Sequence, residues 1–175
     1  FTLKLERSRF RMLVRSIISQ QISTKAARAI RMRVEKLVAP RKVTAKNVLE
    51  VSLDDLRVAG LSPQKVGYVL DLSEKVLDGT VRLNRVGTMT DEEVIAELIQ
   101  VKGIGRWTAQ MFLMFSLGRL DVFPHDDLGI RTALRNLYDL DDLPDKQTSH
   151  EIAAPWSPYA TVASWYCWRS GDTPN

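Results

Sequence analysis

The sequence predicts an all-α protein. Apolar residues recur at helical spacing through most of the chain, and nowhere is there a sustained run of alternating β-branched residues. The punctuation agrees: Ser or Thr stands ahead of the periodic segments, and Gly or Pro follows several of them.

Taken in order, Ser8 to Ser19 places Phe10, Leu13, Val14, Ile17 and Ile18 on one helical stripe. Ser19-Gln20-Gln21-Ile22-Ser23 interrupts it, and Ser23 caps a second helix from Thr24 to about Val38, ended by Pro40. Lys25, Arg28, Arg31, Arg33 and Lys36 on that helix suit either a solvated face or a phosphate-tracking one. Asn47 to Val58 reads as one or two short helices with Ser52 as a cap. Ser62-Pro63 opens a helix to Leu77, with proline at a tolerated first position, and Asp78-Gly79 stops it. Val81 to Thr88 is irregular. Thr90 and Glu93 form a capping box that opens the next helix. Leu128 to Tyr138 is helical, Asp139 to Thr148 is an acidic loop, Ser149 to Ala153 is one turn, and Tyr159 to Arg169 is a last, aromatic-rich helix.

Composition narrows the function. One cysteine, Cys167, excludes an intrachain disulfide framework and any all-cysteine zinc or iron–sulfur site. It also favours a reducing, intracellular compartment. Two histidines argue against a structural metal held by side chains. No apolar stretch approaches the ~18 residues needed to span a membrane. The net charge of +4 is, alone, weak evidence for a polyanionic partner. The chain opens at Phe1 rather than Met, which suggests missing upstream residues, and no signal peptide is visible.

The stretch richest in chemistry is Leu98 to Asp127. Gly103-Ile104-Gly105 turns the chain between two helical segments. Glycines leave backbone N–H groups unobstructed, and with the following helix they can form an anion site. Lys102 and Arg106 flank the turn. A bare pair of glycines also fits a plain helix connection. After an apolar run comes Val122-Phe123-Pro124-His125-Asp126-Asp127.

Leu98, Val101, Gly103, Ile104, Gly105, Thr108 and Ala109 together resemble the helix–hairpin–helix DNA-binding motif. With the aspartate turn about twenty residues on, the stretch resembles the catalytic core of the endonuclease III superfamily of DNA glycosylases, closest to the 3-methyladenine DNA glycosylase II type. Leu13 to Ser23, Trp156 with Tyr159, and Trp165 with Tyr166 extend the resemblance over nearly the whole chain.

The resemblance implies a single domain over residues 1–175, in two helical lobes with the active site in the cleft between them. The lobes are expected at 22–120, carrying the hairpin, and at 1–21 plus 121–175. It implies Asp127 as the catalytic carboxylate, with Asp126 the alternative. An aspartate before a helix is also an ordinary cap, a role left to Asp126. His125 reads as a turn residue. Trp107, Trp165 and Met111 are implied as the base pocket. Trp107 stands where bifunctional relatives carry a lysine nucleophile, so strand-cleaving lyase activity is not expected. Gln21 is implied as the wedge that replaces a flipped base. Lys102, Gly103, Gly105, Arg106 and Thr108 are implied as DNA contacts. No cofactor is required, though the backbone carbonyls of Ile99, Val101 and Ile104 are implied ligands of a sodium or potassium ion. The expected partner is double-stranded DNA with damaged bases, met by a monomer away from membranes. The expected reaction is hydrolysis of the N-glycosidic bond of alkylated purines such as 3-methyladenine and 7-methylguanine. A glycosylase for deaminated, oxidised or mismatched bases, or a hairpin module without catalysis, stands as the alternative.

Overall fold

The computed structural model describes residues 2–171, and these are all-helical, with no strand among them. Ten α-helices occur among the described residues: α1 (Arg9–Ser19), α2 (Thr24–Val38), α3 (Ala45–Leu49), α4 (Leu53–Val58), α5 (Pro63–Leu77), α6 (Asp91–Leu98), α7 (Arg106–Phe112), α8 (Leu128–Leu137), α9 (Lys146–Ala153) and α10 (Ala160–Gly171). A π-helical turn, Leu113–Leu117, follows α7 directly.

The helix starts obey local chemistry. The Ser23, Ser52 and Ser62 hydroxyls each accept the N–H three residues on. Thr90 and Glu93 close a reciprocal capping box, with the Glu93 carboxylate 2.7 Å from the Thr90 N–H. The helix expected at Ser149 begins earlier, at Lys146. Asp145, read as part of an acidic loop, accepts the Thr148 N–H at 2.8 Å and acts as its cap.

The chain divides into two compact units. One, Glu6–Phe112, holds α1 to α7. Its core is the buried stripe of α1 (Leu13, Val14, Ile17, Ile18) with Val34 of α2, Val69 and Leu72 of α5, and Leu98 of α6. The other contains residues 2–5 and 113–171. There α8 packs on α10, and Ile130, Ala133, Leu134 and Cys167 form a buried cluster under Phe123, Ile152, Trp156 and Trp168. Burial pushes the Cys167 thiol up from its ordinary pKa.

These limits differ from the expected lobes of 22–120 and 1–21 plus 121–175. The stripe of α1 is met by α2, α5 and α7, so that helix belongs with the hairpin. Residues 113–120 go the other way because α10 holds them: Thr161 N–H donates to the Leu120 carbonyl at 2.9 Å, and its hydroxyl to the Arg119 carbonyl at 2.8 Å. Among the described residues no helix is long and apolar enough to cross a membrane.

Candidate functional site

The glycine turn is built on α5. Val101 and Ile104 are buried and anchor it, while Lys102, Gly103, Gly105 and Arg106 are exposed. Gly103 has φ +79°, and a Cβ there would lie 2.1 Å from a ring carbon of Tyr68 on α5. The glycine therefore answers both a left-handed backbone and a close approach. A Cβ at Gly105 would meet open space.

Further along α5, Asp71 accepts the Lys102 backbone N–H at 2.9 Å. Lys75 pairs with Asp71 at 2.8 Å and donates to the Gln100 carbonyl at 2.6 Å. Burial alone would raise the Asp71 carboxyl, but Lys75 and the Lys102 N–H outweigh it and hold its pKa below the ordinary value. A carboxyl lowered on folding stabilises the fold above the unfolded-state pKa, about 4, and that contribution is lost as pH falls through the lower folded value. Urea unfolding of wild type and Asp71→Asn should thus differ by about 1–3 kcal/mol at pH 6 and converge toward pH 2. An undiminished gap at pH 2 would contradict this.

The other residues expected to contact DNA, and the expected pocket residues of α7, fall in different surroundings. Arg106 is ion-paired with Glu92 on α6. Trp107 is 44% exposed, and Met111, one turn on, is buried. Thr108 is buried, 5% exposed, in the first turn of α7. Gln21 is exposed, in a left-handed conformation at φ +55°.

The aspartate turn belongs to the second unit. The Asp127 N–H donates to the Pro124 carbonyl at 2.9 Å. Asp127 is itself the cap of α8: its Oδ1 accepts the Ile130 N–H at 2.9 Å. The division of labour expected from the sequence, with Asp126 as cap, is therefore not what the fold does. Asp126 is 65% exposed and lies 3.2 Å from Nε2 of His125. His125 is buried in the turn, its ring 4.9 Å from that of His150.

A second donor converges on the same oxygen. The indole Nε1 of Trp168 on α10 donates to Asp127 Oδ1 at 2.9 Å. The ring lies over the first turn of α8, where a Cβ at Gly129 would stand 3.2 Å from it and 3.1 Å from Asp127 Oδ1. The sequence reading missed Trp168 and singled out Trp165, three residues earlier. The Trp165 ring meets Tyr166 edge-on at 5.0 Å and has the Arg169 guanidinium 5.7 Å from its centroid. The available signal was the i, i+3 spacing of the two tryptophans, which puts both on neighbouring positions of one helix.

Trp168→Phe keeps the ring and removes the donor. A hydrogen bond to a charged group contributes about 1.5–3 kcal/mol. If Asp127 is catalytic, single-turnover base release should fall about 10- to 100-fold, with little change in affinity for abasic DNA. An unchanged rate would show that the bond serves packing alone.

The Asp127 arrangement can stabilise positive charge at a bound group, and the glycine turn can approach an anion with its backbone. Residues 14–158 match the model of the HhH-GPD superfamily base excision DNA repair protein. DNA-3-methyladenine glycosylase 1 of Schizosaccharomyces pombe is 34% identical over 160 residues, which are 90% of this chain and 70% of that protein. A Bacillus subtilis relative is 33% identical over 174 residues, and this chain spans 61% of its length. Among solved structures, the S. pombe 3-methyladenine DNA glycosylase in complex with abasic DNA superposes with a TM-score of 0.87 at 32% identity, covering 99% of this chain and 87% of that one. A DNA-3-methyladenine glycosidase from Bacillus halodurans superposes at 0.89 and 38% identity, covering 99% and 80%. The chain belongs to the HhH-GPD superfamily of base excision DNA repair proteins.

Proposed function

We propose that this protein is a monofunctional DNA glycosylase that hydrolyses the N-glycosidic bond of alkylated purines, 3-methyladenine and 7-methylguanine among them. The observation that carries the reading is the Asp127 carboxylate, held through Oδ1 by the Ile130 N–H and the Trp168 indole at the start of α8. Its relatives' names, 3-methyladenine DNA glycosylases of bacteria and yeast, support the substrate class.

The chemistry follows from the substrate's charge. Alkylation at a ring nitrogen makes the purine cationic, so the bond electrons leave with the base and produce a neutral molecule. No strong general acid is needed. The sugar left behind is oxocarbenium-like, and the Asp127 carboxylate stabilises it electrostatically until water adds at the anomeric carbon and loses a proton. A positioned carboxylate costs no reorganisation at that moment. Trp107 and Trp165 offer electron-rich faces, each able to attract a cationic base by ~0.5–2 kcal/mol. Met111, buried and one turn after Trp107 on α7, is assigned to the same pocket. Trp107 brings no amine to form a Schiff base, so no lyase step follows.

The base must leave the stack, at a cost of a few kcal/mol that damage reduces. The exposed turn at Lys102, Gly103, Gly105 and Arg106 grips the phosphate backbone, with buried Thr108 supporting the start of α7. Gln21 fills the gap. The carbonyls of Ile99, Val101 and Ile104 are neutral hard oxygens suited to sodium or potassium. That of Val101 already accepts the Ile104 N–H at 3.1 Å, leaving one lone pair for an ion. The ion would add positive charge beside a phosphate. One chain supplies grip and acid, so the protein acts as a monomer on duplex DNA within the cell.

Released-base analysis after incubation with methylated duplex DNA tests the proposal. Free 3-methyladenine and 7-methylguanine are expected, with strand breaks only after added alkali. Release of deaminated or oxidised bases instead would overturn the substrate assignment, and a nick without added base would overturn the monofunctional mechanism.

A further inference from the structure

Gln21 stands between α1 and α2 at φ +55°, a conformation that non-glycine residues adopt rarely and that persists only where neighbours over-determine it. Two side chains do so here. Lys65 on α5 donates from Nζ to the Ile18 carbonyl at 2.7 Å and to the Gln20 carbonyl, one residue before Gln21, at 2.6 Å. Its ammonium closes the C-terminal end of α1, where helix carbonyls lack partners. Burial holds that ammonium below the ordinary lysine pKa. Gln20 extends its own amide to the other loop: Nε2 donates to the Gly103 carbonyl at 2.8 Å. Gly103 in turn is seated on Tyr68, three residues after Lys65 on the same helix. All of these residues lie in the unit Glu6–Phe112.

We infer that Gln20 and Lys65 form a brace that joins the Gln21 loop and the glycine turn into one mechanical piece, so that phosphate grip and base displacement are coupled. The roles of grip and wedge rest on the proposed glycosylase function. The brace itself rests on the hydrogen bonds. An unbraced loop would lose conformational freedom at each insertion. This one is ordered beforehand, and its distance from the gripped phosphate is set by side-chain bonds rather than by loop length. Gln20 and Lys65 are positioning residues that act through Gln21.

Two measurements on the full chain test the brace. The first is amide hydrogen exchange without DNA. Gln20→Ala should raise exchange about fivefold, the worth of one hydrogen bond, in residues 19–23 and 103–105 together. The second is single-turnover base release from methylated duplex. Gln20→Ala should slow it about tenfold, as misplacement of a positioned group does, while affinity for abasic duplex changes less than about threefold. In a Gln21→Ala background the same substitution should add less than about twofold, because its effect runs through Gln21. Lys65→Met should behave like Gln20→Ala and Lys65→Arg like wild type. If Lys65→Met does not fold, Gln20→Ala carries the test alone.

Exchange that rises in one loop only, or a full tenfold loss that persists without Gln21, would overturn the brace. Wild-type protein that releases no base would sink the glycosylase reading instead. The exchange measurement needs no DNA and would still decide the brace.

Discussion

Asp127→Asn should abolish base release while leaving the fold intact. Removing one preorganised electrostatic stabiliser costs about 10²–10³-fold in rate. A carboxylate facing a full oxocarbenium charge belongs at or beyond the upper end. Asparagine is as good an N-cap as aspartate, and its amide oxygen can accept both the Ile130 N–H and the Trp168 indole. The melting temperature should therefore move by only a few degrees, while abasic-site DNA is still bound. Asp127→Ala loses the cap as well and should cost about 1 kcal/mol of stability. Single-turnover kinetics on methylated duplex, read beside thermal melts, separate the two roles. Release by Asp127→Asn at the wild-type rate would move catalysis elsewhere and favour a DNA-binding module that does no chemistry.

Gly103→Ala should be the most destabilising small substitution in the glycine turn. Its φ of +79° is unfavourable for alanine, and the added Cβ would overlap the Tyr68 ring at 2.1 Å. Left-handed strain of about 1–2 kcal/mol and overpacking of about 1–3 kcal/mol give an expected loss of about 2–5 kcal/mol in urea unfolding. Gly105→Ala is the contrast, because open space surrounds the position. Its stability should change by less than about 1 kcal/mol, while DNA affinity falls about tenfold if a phosphate sits against that backbone. Equal stability losses for the two variants would mean that the turn is not shaped by Tyr68. A Gly105→Ala protein binding DNA normally would place the phosphate elsewhere.

What the sequence made legible was local. The ends of α2 and α5, the capping box at Thr90 and the first residue of α8 depend on residues within a turn of one another, and each was placed correctly, although the cap of α8 is Asp127 rather than Asp126. The start of α9 was missed because one aspartate in an acidic run does not declare itself a cap until the following turn is formed. The hairpin motif was legible as a string, but what holds it was not. Tyr68, Asp71 and Lys75 read as unremarkable positions on an amphipathic helix. Their partners lie 25 to 31 residues away in the case of Lys75 with Gln100 and Asp71 with Lys102, and no spacing rule reaches that far. Lys65 is more distant still from Ile18, 47 residues along the chain. Trp168 was passed over for a related reason. In Trp165-Tyr166-Cys167-Trp168 every residue is a plausible site neighbour, and only the packing of α8 on α10 selects the indole that meets Asp127.

The sole cysteine has a practical consequence. Cys167 is buried in the α8–α10 cluster with its thiol pushed up by burial, so it resists alkylating reagents at neutral pH. The native chain is thus a silent background for thiol-directed dyes. A cysteine introduced at exposed Gln21 would take a fluorophore alone, without removal of the native thiol. Under the proposed function, energy transfer from that dye to a labelled duplex would then report the approach of residue 21 to a lesion in real time.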